Sequence, residues 1–576
     1  MPEATAFNPA EVAAERVRQS IVTCIDARKP FLVEAGAGAG KTYSLINTLK
    51  YLIESQGREL LRRNQRVACI TYTNVATDEI KARTDRHPAI QAETIHSFCW
   101  SAIRPFQSAL RSALPALERW PERLEEANGL GQRTVDYNLG YPSVEEDRVL
   151  LHHNDVLTLT VALMNQPKFR RVLSDRFPVL LIDEYQDTHT DFAAAILTHF
   201  VATSTGPLIG FFGDHWQKIY GEGCGRIEHA NLEVIGKESN FRSVPAVVDV
   251  LNRLRPDLLQ KVTNPDAVGS VAVYHTNAWI GERQVGPHKK GDLPPQASHE
   301  YLGRLTAKLT EEGWDFAPAK TKVLMLTHKG LAAEMGYRDL ADAFLRNDSF
   351  IKKEDPHIAF LVDTIEPVCV AYEAGRYGEM FAILGEKRPT ITSKDDKAAW
   401  KRDIDQLLAL RAKGTIATVM DYLKTSRFRL PKKVQRREEL LGSNDPEHAD
   451  ANTLLTTLRA VPFRQITALA RFIEGNTPFN TKHGVKGAEF ENVLVAVGRG
   501  WNIYNFGQML ELMGATVPAN KKEFFERNRN LFYVTCSRPK MRLAVLFTQE
   551  LSSIAISTLK KLFGEGAVHA LPPLET

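Results

Sequence analysis

"VEAGAGAGKTYSL", residues 33–45, is the stretch that decides the fold class. It begins at the end of a short apolar run, Phe31-Leu32-Val33, which reads as a buried strand. Gly36, Gly38 and Gly40 let the backbone turn tightly and aim its N–H groups at anionic oxygens. Ala35, Ala37 and Ala39 alternate with them. Ala35 stands where the pattern G-x-x-x-x-G-K-[ST] has its first glycine, which restricts the backbone but removes no donor. In such a loop Lys41 reaches the β- and γ-phosphates of a nucleotide and the Thr42 hydroxyl holds Mg²⁺. Ser44 to Ile53 has helical apolar spacing, so the phosphates would meet a helix N-terminus.

A chain of 576 residues is too long for one core, and about two to four domains are expected. Hydrophobic content of 43% with 25% charged residues is that of an ordinary globular chain, not of a disordered or membrane-spanning one. No apolar stretch reaches about 18 residues, and the N-terminal residues have no apolar signal region. The six cysteines are scattered without a C-x-x-C pair, which argues against a zinc or iron–sulfur site. These features together lead us to expect a cytoplasmic protein. A net charge of +4 permits nucleic-acid binding without demanding it.

Outward from the loop, short apolar runs alternate with helical patterns. FLVEA, RVACITYT, FPVLLIDEYQDT and PLIGFFGD read as strands of one α/β unit; KVLMLTHKG, NVLVAVG and MRLAVLFT read as strands of another. Residues 101–170 and 346–474 read as helical insertions. The resulting partition has a first lobe at 1–100 and 171–230 and a second at 231–345 and 475–576.

A nucleotide-hydrolysing site needs carboxylates at a strand end. LLIDEYQDT supplies Asp183, suited to hold Mg²⁺, and Glu184, suited to orient and deprotonate water.

With these two motifs the chain resembles the UvrD/Rep-type helicases of superfamily 1. Further strings follow in family order: TYTNVATDEI (71–80), TIHSFC (94–99), HNDVLTLTVALM (153–164), GDHWQKIYG (213–221), NFRS (240–243), Thr481 to Phe490, and LFYVTCSRPK (531–540). The resemblance implies an α/β fold of two RecA-like P-loop NTPase lobes with parallel sheets, each interrupted by a mainly helical insertion. It implies ATP and Mg²⁺ between the lobes, and a motor moving 3′ to 5′ on single-stranded DNA and at duplex junctions. Gln19 would read adenine, Phe241 would stack on it, and Glu489 would hydrogen-bond the ribose. Gln217 would sense the γ-phosphate. Arg242 and Arg538 would act as arginine fingers from the second lobe. Thr71, Thr73, Asn74, Thr94 and His96 suit backbone contacts in a DNA groove, with His483 placed there by the resemblance. Tyr72 and Tyr220 offer rings for base stacking.

Two departures bear on function. Glu222-Gly223 follows Gly221 where the family has Trp-Arg, so a stacking ring and a cation give way to an anion. The second insertion is also short for the family. Both favour an alternative, a DNA-stimulated ATPase that regulates a separate partner nuclease in anti-phage defence; helicase-like subunits of Gabija-type systems are of this compact size. Within that insertion Lys424, Arg427, Arg429, Lys432, Lys433, Arg436 and Arg437 form a run without acids. It suits duplex phosphates, but a solvated helix face is the plainer reading. His152-His153 reads as structural, because no third ligand is spaced for a metal.

Overall fold

Seven apolar runs become strands of two six-stranded sheets in the computed structural model. It describes residues 8–574 apart from 139–141, 204, 220, 222, 287–288, 326–327, 386–387, 442–448, 476, 482–487 and 499–503. The chain divides into two units. The first comprises residues 1–271, 509–542 and 558–565, and the second the remainder.

In the first unit, β1 (Phe31–Ala35), β2 (Val67–Thr71), β3 (Ile90–Thr94), β4 (Val179–Asp183), β5 (Leu208–Gly213) and β6 (Glu233–Lys237) form a parallel sheet of order β3-β2-β4-β5-β1-β6. Alternate residues feed opposite cores. Phe31, Val33, Cys69, Leu181 and Phe212 pack on one face; Leu32, Ile70, Leu180, Ile182 and Phe211 pack on the other. Burial on both faces explains why these strands are near-continuous apolar runs.

The first of these cores also takes residues from α1 (Pro9–Asp26) and α2 (Lys41–Arg62). Asn8 caps α1, its side chain accepting from the Ala10 and Glu11 amides, and Pro9 sits at the first helical position. Four more helices matter to the site: α3 (Asn74–Arg83), α4 (Ile95–Ile103), α5 (His153–Met164) and α6 (Pro245–Leu254). A seventh, α7 (Lys522–Cys536), returns to this unit from the far end of the sequence.

The second unit has its own sheet. Its strands are β7 (Ser270–His275), β8 (Thr321–Met325), β9 (Phe479–Thr481), β10 (Phe490–Val497), β11 (Pro539–Phe547) and β12 (Val568–Ala570), in the order β9-β8-β10-β11-β7-β12. Between residues 346 and 474 every regular element among the described residues is helical, around a core that includes Tyr337, Phe350, Leu361, Trp400, Met420 and Leu469. The fold is therefore α/β with two RecA-like lobes. No helix among the described residues is long and apolar enough to cross a membrane.

Two features differ from the sequence partition. Residues 101–170 carry a small sheet of three short strands, Thr134–Asp136, Ser143–Val144 and Arg148–Leu150, too brief to give a period-two signal. And β6, with residues up to Val271, groups with the first unit, whereas the sequence reading starts a second lobe at 231.

Candidate functional site

The phosphate loop connects the carboxyl end of β1 to α2, the edge where doubly wound sheets bind ligands. Gly38 and Gly40 have φ of 75° and 73°, the left-handed region that glycine enters without strain. Gly36 is needed for space instead: a Cβ there would lie 2.7 Å from Gln260 Nε2. Gly40 caps α2 with no side-chain partner, so amides at that helix start are available to an anion.

Three elements brace the loop. The Ala37 amide donates to the Tyr533 hydroxyl of α7 at 3.1 Å. The Ala37 carbonyl accepts from Asn240 Nδ2 and Gln260 Nε2. The Phe241 amide donates to the Gly38 carbonyl at 2.8 Å.

Lys41 and Glu184 meet directly, Nζ to Oε2 at 2.9 Å. Burial alone would lower the Lys41 pKa, but the charges of Glu184, Asp214 and Asp183 outweigh it and the net shift is upward. Glu184 adopts φ 48°, ψ 47°, a left-handed conformation uncommon for a residue with a side chain. Such strain clusters at functional sites. Beside it Asp183 ends β4, and its Oδ1 is buried without a hydrogen-bond partner. Burial, reinforced by the Glu184 charge, pushes the Asp183 carboxyl up to about 7. An orphaned carboxylate oxygen held high by its neighbours is what a bound cation would relieve.

From Glu184 a chain of polar contacts runs through the unit. Gln186 Nε2 donates to Glu184, and its Oε1 accepts from the Asp214 amide. Asp214 Oδ2 accepts from Gln217 Nε2 at 2.8 Å. Asp214 Oδ1 accepts from Arg255 at 2.7 Å, and the same guanidinium reaches Glu34 Oε1 at 2.8 Å. Glu34 also accepts from the Tyr185 hydroxyl and from the His215 amide. Burial would raise the Glu34 pKa, yet His215, Arg255 and Tyr185 together hold it at about 2. Arg529 of α7 stacks 3.7 Å over the Trp216 ring, and Asn530 donates to the carbonyls of His215 and Lys218. Gln217 is thus fixed through its neighbours to the phosphate-loop strand and to α7.

Arg242 and Arg538 both belong to the unit that carries the phosphate loop. Arg242 donates to the Ser537 carbonyl at 2.9 Å. Arg538 is fully buried and donates through Nε to the Val534 carbonyl. Burial and the Arg242 charge press its pKa down to about 9, against the pull of Glu184 and Asp214, so the guanidinium stays charged at neutral pH.

Beside α2 lies a cavity of about 730 Å³ lined by Tyr43, Asn47, Phe241 and Lys237, among others. Tyr43 and Phe241 are 56% and 42% exposed, so two aromatic rings border it. Phe241 was singled out from the sequence; Tyr43, one residue past the G-x-x-x-x-G-K-[ST] pattern, was not. Gln19 is on an exposed part of α1, its amide on Glu15, which itself borders the cavity.

The expected groove residues separate into two kinds. Thr73 caps α3 and Thr94 caps α4, while Thr71 hydrogen-bonds Thr73 and Thr77, so these hydroxyls already shape the backbone. Tyr72 is 51% exposed and Asn74 is exposed beside it. His96 lies 5.2 Å from the His153 ring, and burial with the His153, His152 and His189 charges lowers it to about 4. Tyr220, Glu222 and His483 lie outside the described residues. Glu489 is exposed in the second unit.

These arrangements define a P-loop ATPase of the helicase type. The chain resembles the UvrD/Rep-like superfamily 1 helicases, and its likeness to a Gabija protein extends along almost its full length. Residues 18–222 match an AAA domain family model. The Gabija protein GajB of Bacillus cereus is 24% identical over 95% of this chain and 97% of its own. The ATP-dependent DNA helicase PcrA of Staphylococcus aureus is 24% identical over 39% of this chain and 38% of its own. PcrA of Staphylococcus epidermidis matches to the same extent. ATP with a divalent metal is the ligand set that such a site takes.

Proposed function

We propose that the chain is an ATP-driven translocase on single-stranded DNA, moving 3′ to 5′. The observation that carries this is the convergence of Lys41, Glu184 and the orphaned Asp183 at one strand edge, wired through Asp214 to Gln217. Thr42 and Asp183 would hold Mg²⁺, which when bound would neutralise phosphate charge. Phosphates in the loop would draw Lys41 away from Glu184. The freed carboxylate would then take a proton from the attacking water. Arg242 and Arg538 would counter the charge that develops on the transferred phosphoryl group. Tyr43 and Phe241 would border the base, with Gln19 nearby and Glu489 on the ribose. Tyr72, Asn74 and His96 would meet DNA, joined by Tyr220 and His483.

A second reading is a DNA-stimulated ATPase that regulates a partner nuclease and unwinds little. The near-full-length likeness to GajB and the Glu222 departure favour it. Duplexes with a 3′ or a 5′ single-stranded tail separate the two. Unwinding of the 3′-tailed duplex alone supports the translocase. DNA-stimulated hydrolysis with neither duplex opened supports the second reading, and preference for the 5′ tail contradicts the first.

A further inference from the structure

Lys237 ends β6 with its side chain fully buried. Its ammonium donates to the Gly40 carbonyl at 3.0 Å and to the Ser44 hydroxyl. Both acceptors are neutral, and no carboxylate among the described residues forms an ion pair with it. Burial pushes its pKa down to about 8. A buried charge without a counter-charge disfavours the folded state, and an apolar side chain of similar length would suit the site better. The fold keeps the lysine at the border of the cavity beside α2, close to Gly40, Tyr43, Ser44 and Phe241. An ammonium has three donors, and two are engaged here. Other charged groups around the cavity are Glu11, Glu15 and Arg18 of α1, the last two paired with each other.

We propose that Lys237 is a nucleotide-binding residue: it gives one positive charge and one hydrogen bond to a nucleoside triphosphate in this cavity, while its other donors hold Gly40 and Ser44 at the start of α2. The proposal rests on the reading of the phosphate loop as a nucleotide site. It explains why a lysine occupies a position where an apolar residue would favour folding.

The test is MgATP binding by titration calorimetry, with melting temperatures measured without nucleotide, on the full chain. Lys237→Met is expected to bind MgATP about tenfold more weakly or worse. Its nucleotide-free melting temperature should equal or exceed that of the wild type. Wild-type affinity in Lys237→Met overturns the proposal. So does a lower melting temperature accompanying weaker binding, since Lys237 would then be a brace for Gly40. If Lys237→Met does not fold, Lys237→Gln, which keeps donors but no charge, must show the same weakening, and wild-type affinity there overturns the proposal too. Binding that disappears in Lys41→Ala but persists in Lys237→Met sinks the Lys237 role alone. A wild type that binds no MgATP sinks the nucleotide site itself.

Discussion

Two buried charge networks, one in each unit, use the same residue types to different ends. In the first, Arg255 joins Glu34 and Asp214, and from Asp214 the contacts run to Gln217 and, through Gln186, to Glu184. In the second, Glu438 sits among His357, Lys424 and Arg459 inside the helical insertion. Burial would raise the Glu438 pKa, but those three partners hold it at about 2. Among the described residues, the ion pairs of Glu438 with His357, Lys424 and Arg459 all lie within residues 346–474. The contrast teaches that burial and a shifted pKa do not mark function by themselves; the groups at the network's ends do. It also divides the basic run at 424–437. Lys424, Arg427 and Arg437 are committed to Glu438, Asp403 and Asp355, whereas Arg429, Lys432, Lys433 and Arg436 are exposed.

The largest effect should come from Arg538→Ala, which leaves ATP bound but slows hydrolysis by about 10³–10⁵ if it meets developing charge. Single-turnover hydrolysis measures this, and a normal rate would remove Arg538 from the reaction.

Arg255→Met attacks the first network directly. It leaves Glu34 and Asp214 buried without their shared cation, a loss of about 3–5 kcal/mol in stability. Because Gln217 hangs from Asp214, turnover of the folded fraction should also fall, by about 10²-fold. Denaturant unfolding and steady-state hydrolysis read the two effects separately. Lost stability with full turnover would show that this network, like the second, only supports the fold.

Arg459→Met makes the matched cut in the second network. Glu438 keeps His357 and Lys424, so the loss should be about 1–3 kcal/mol. Hydrolysis per folded molecule should not change, and a clear fall would erase the distinction drawn here.

The smallest effect is a pH slope. His96 has a folded pKa of about 4 against an ordinary 6.5, so the unfolded chain binds its proton first as pH falls. Its contribution is complete above about 6.5 and declines as pH drops toward 4. His96→Gln should flatten the stability profile in that window, and an unchanged slope would mean that other groups cause it.

Much of this was legible in the sequence, and the gaps have physical causes. All seven strands read from apolar runs exist, since burial on both sheet faces requires such runs. β3, IQAET, and β6, EVIGK, escaped because they are the edge strands of the sheet and mix charges with apolar residues. The phosphate loop, Asp183 and Glu184 were read because their chemistry is local in sequence. Arg255, Glu34 and Lys237 were not, because their partners lie tens to hundreds of residues away. Weak signals existed for two of them. Lys237 alternates in register with buried Ile235, and Arg255 lies four residues after Leu251 on the apolar face of α6.

The central claim is that the first unit houses a Mg²⁺-dependent ATP-hydrolysing site coupled to nucleic acid. Hydrolysis by the wild type and by Glu184→Gln, with and without single-stranded DNA, tests it most directly. The wild type should hydrolyse ATP faster when DNA is added. Glu184→Gln should still bind ATP but turn over at least about 10²-fold more slowly. A Glu184→Gln protein with wild-type turnover, or a wild-type rate indifferent to every nucleic acid tried, would contradict the account.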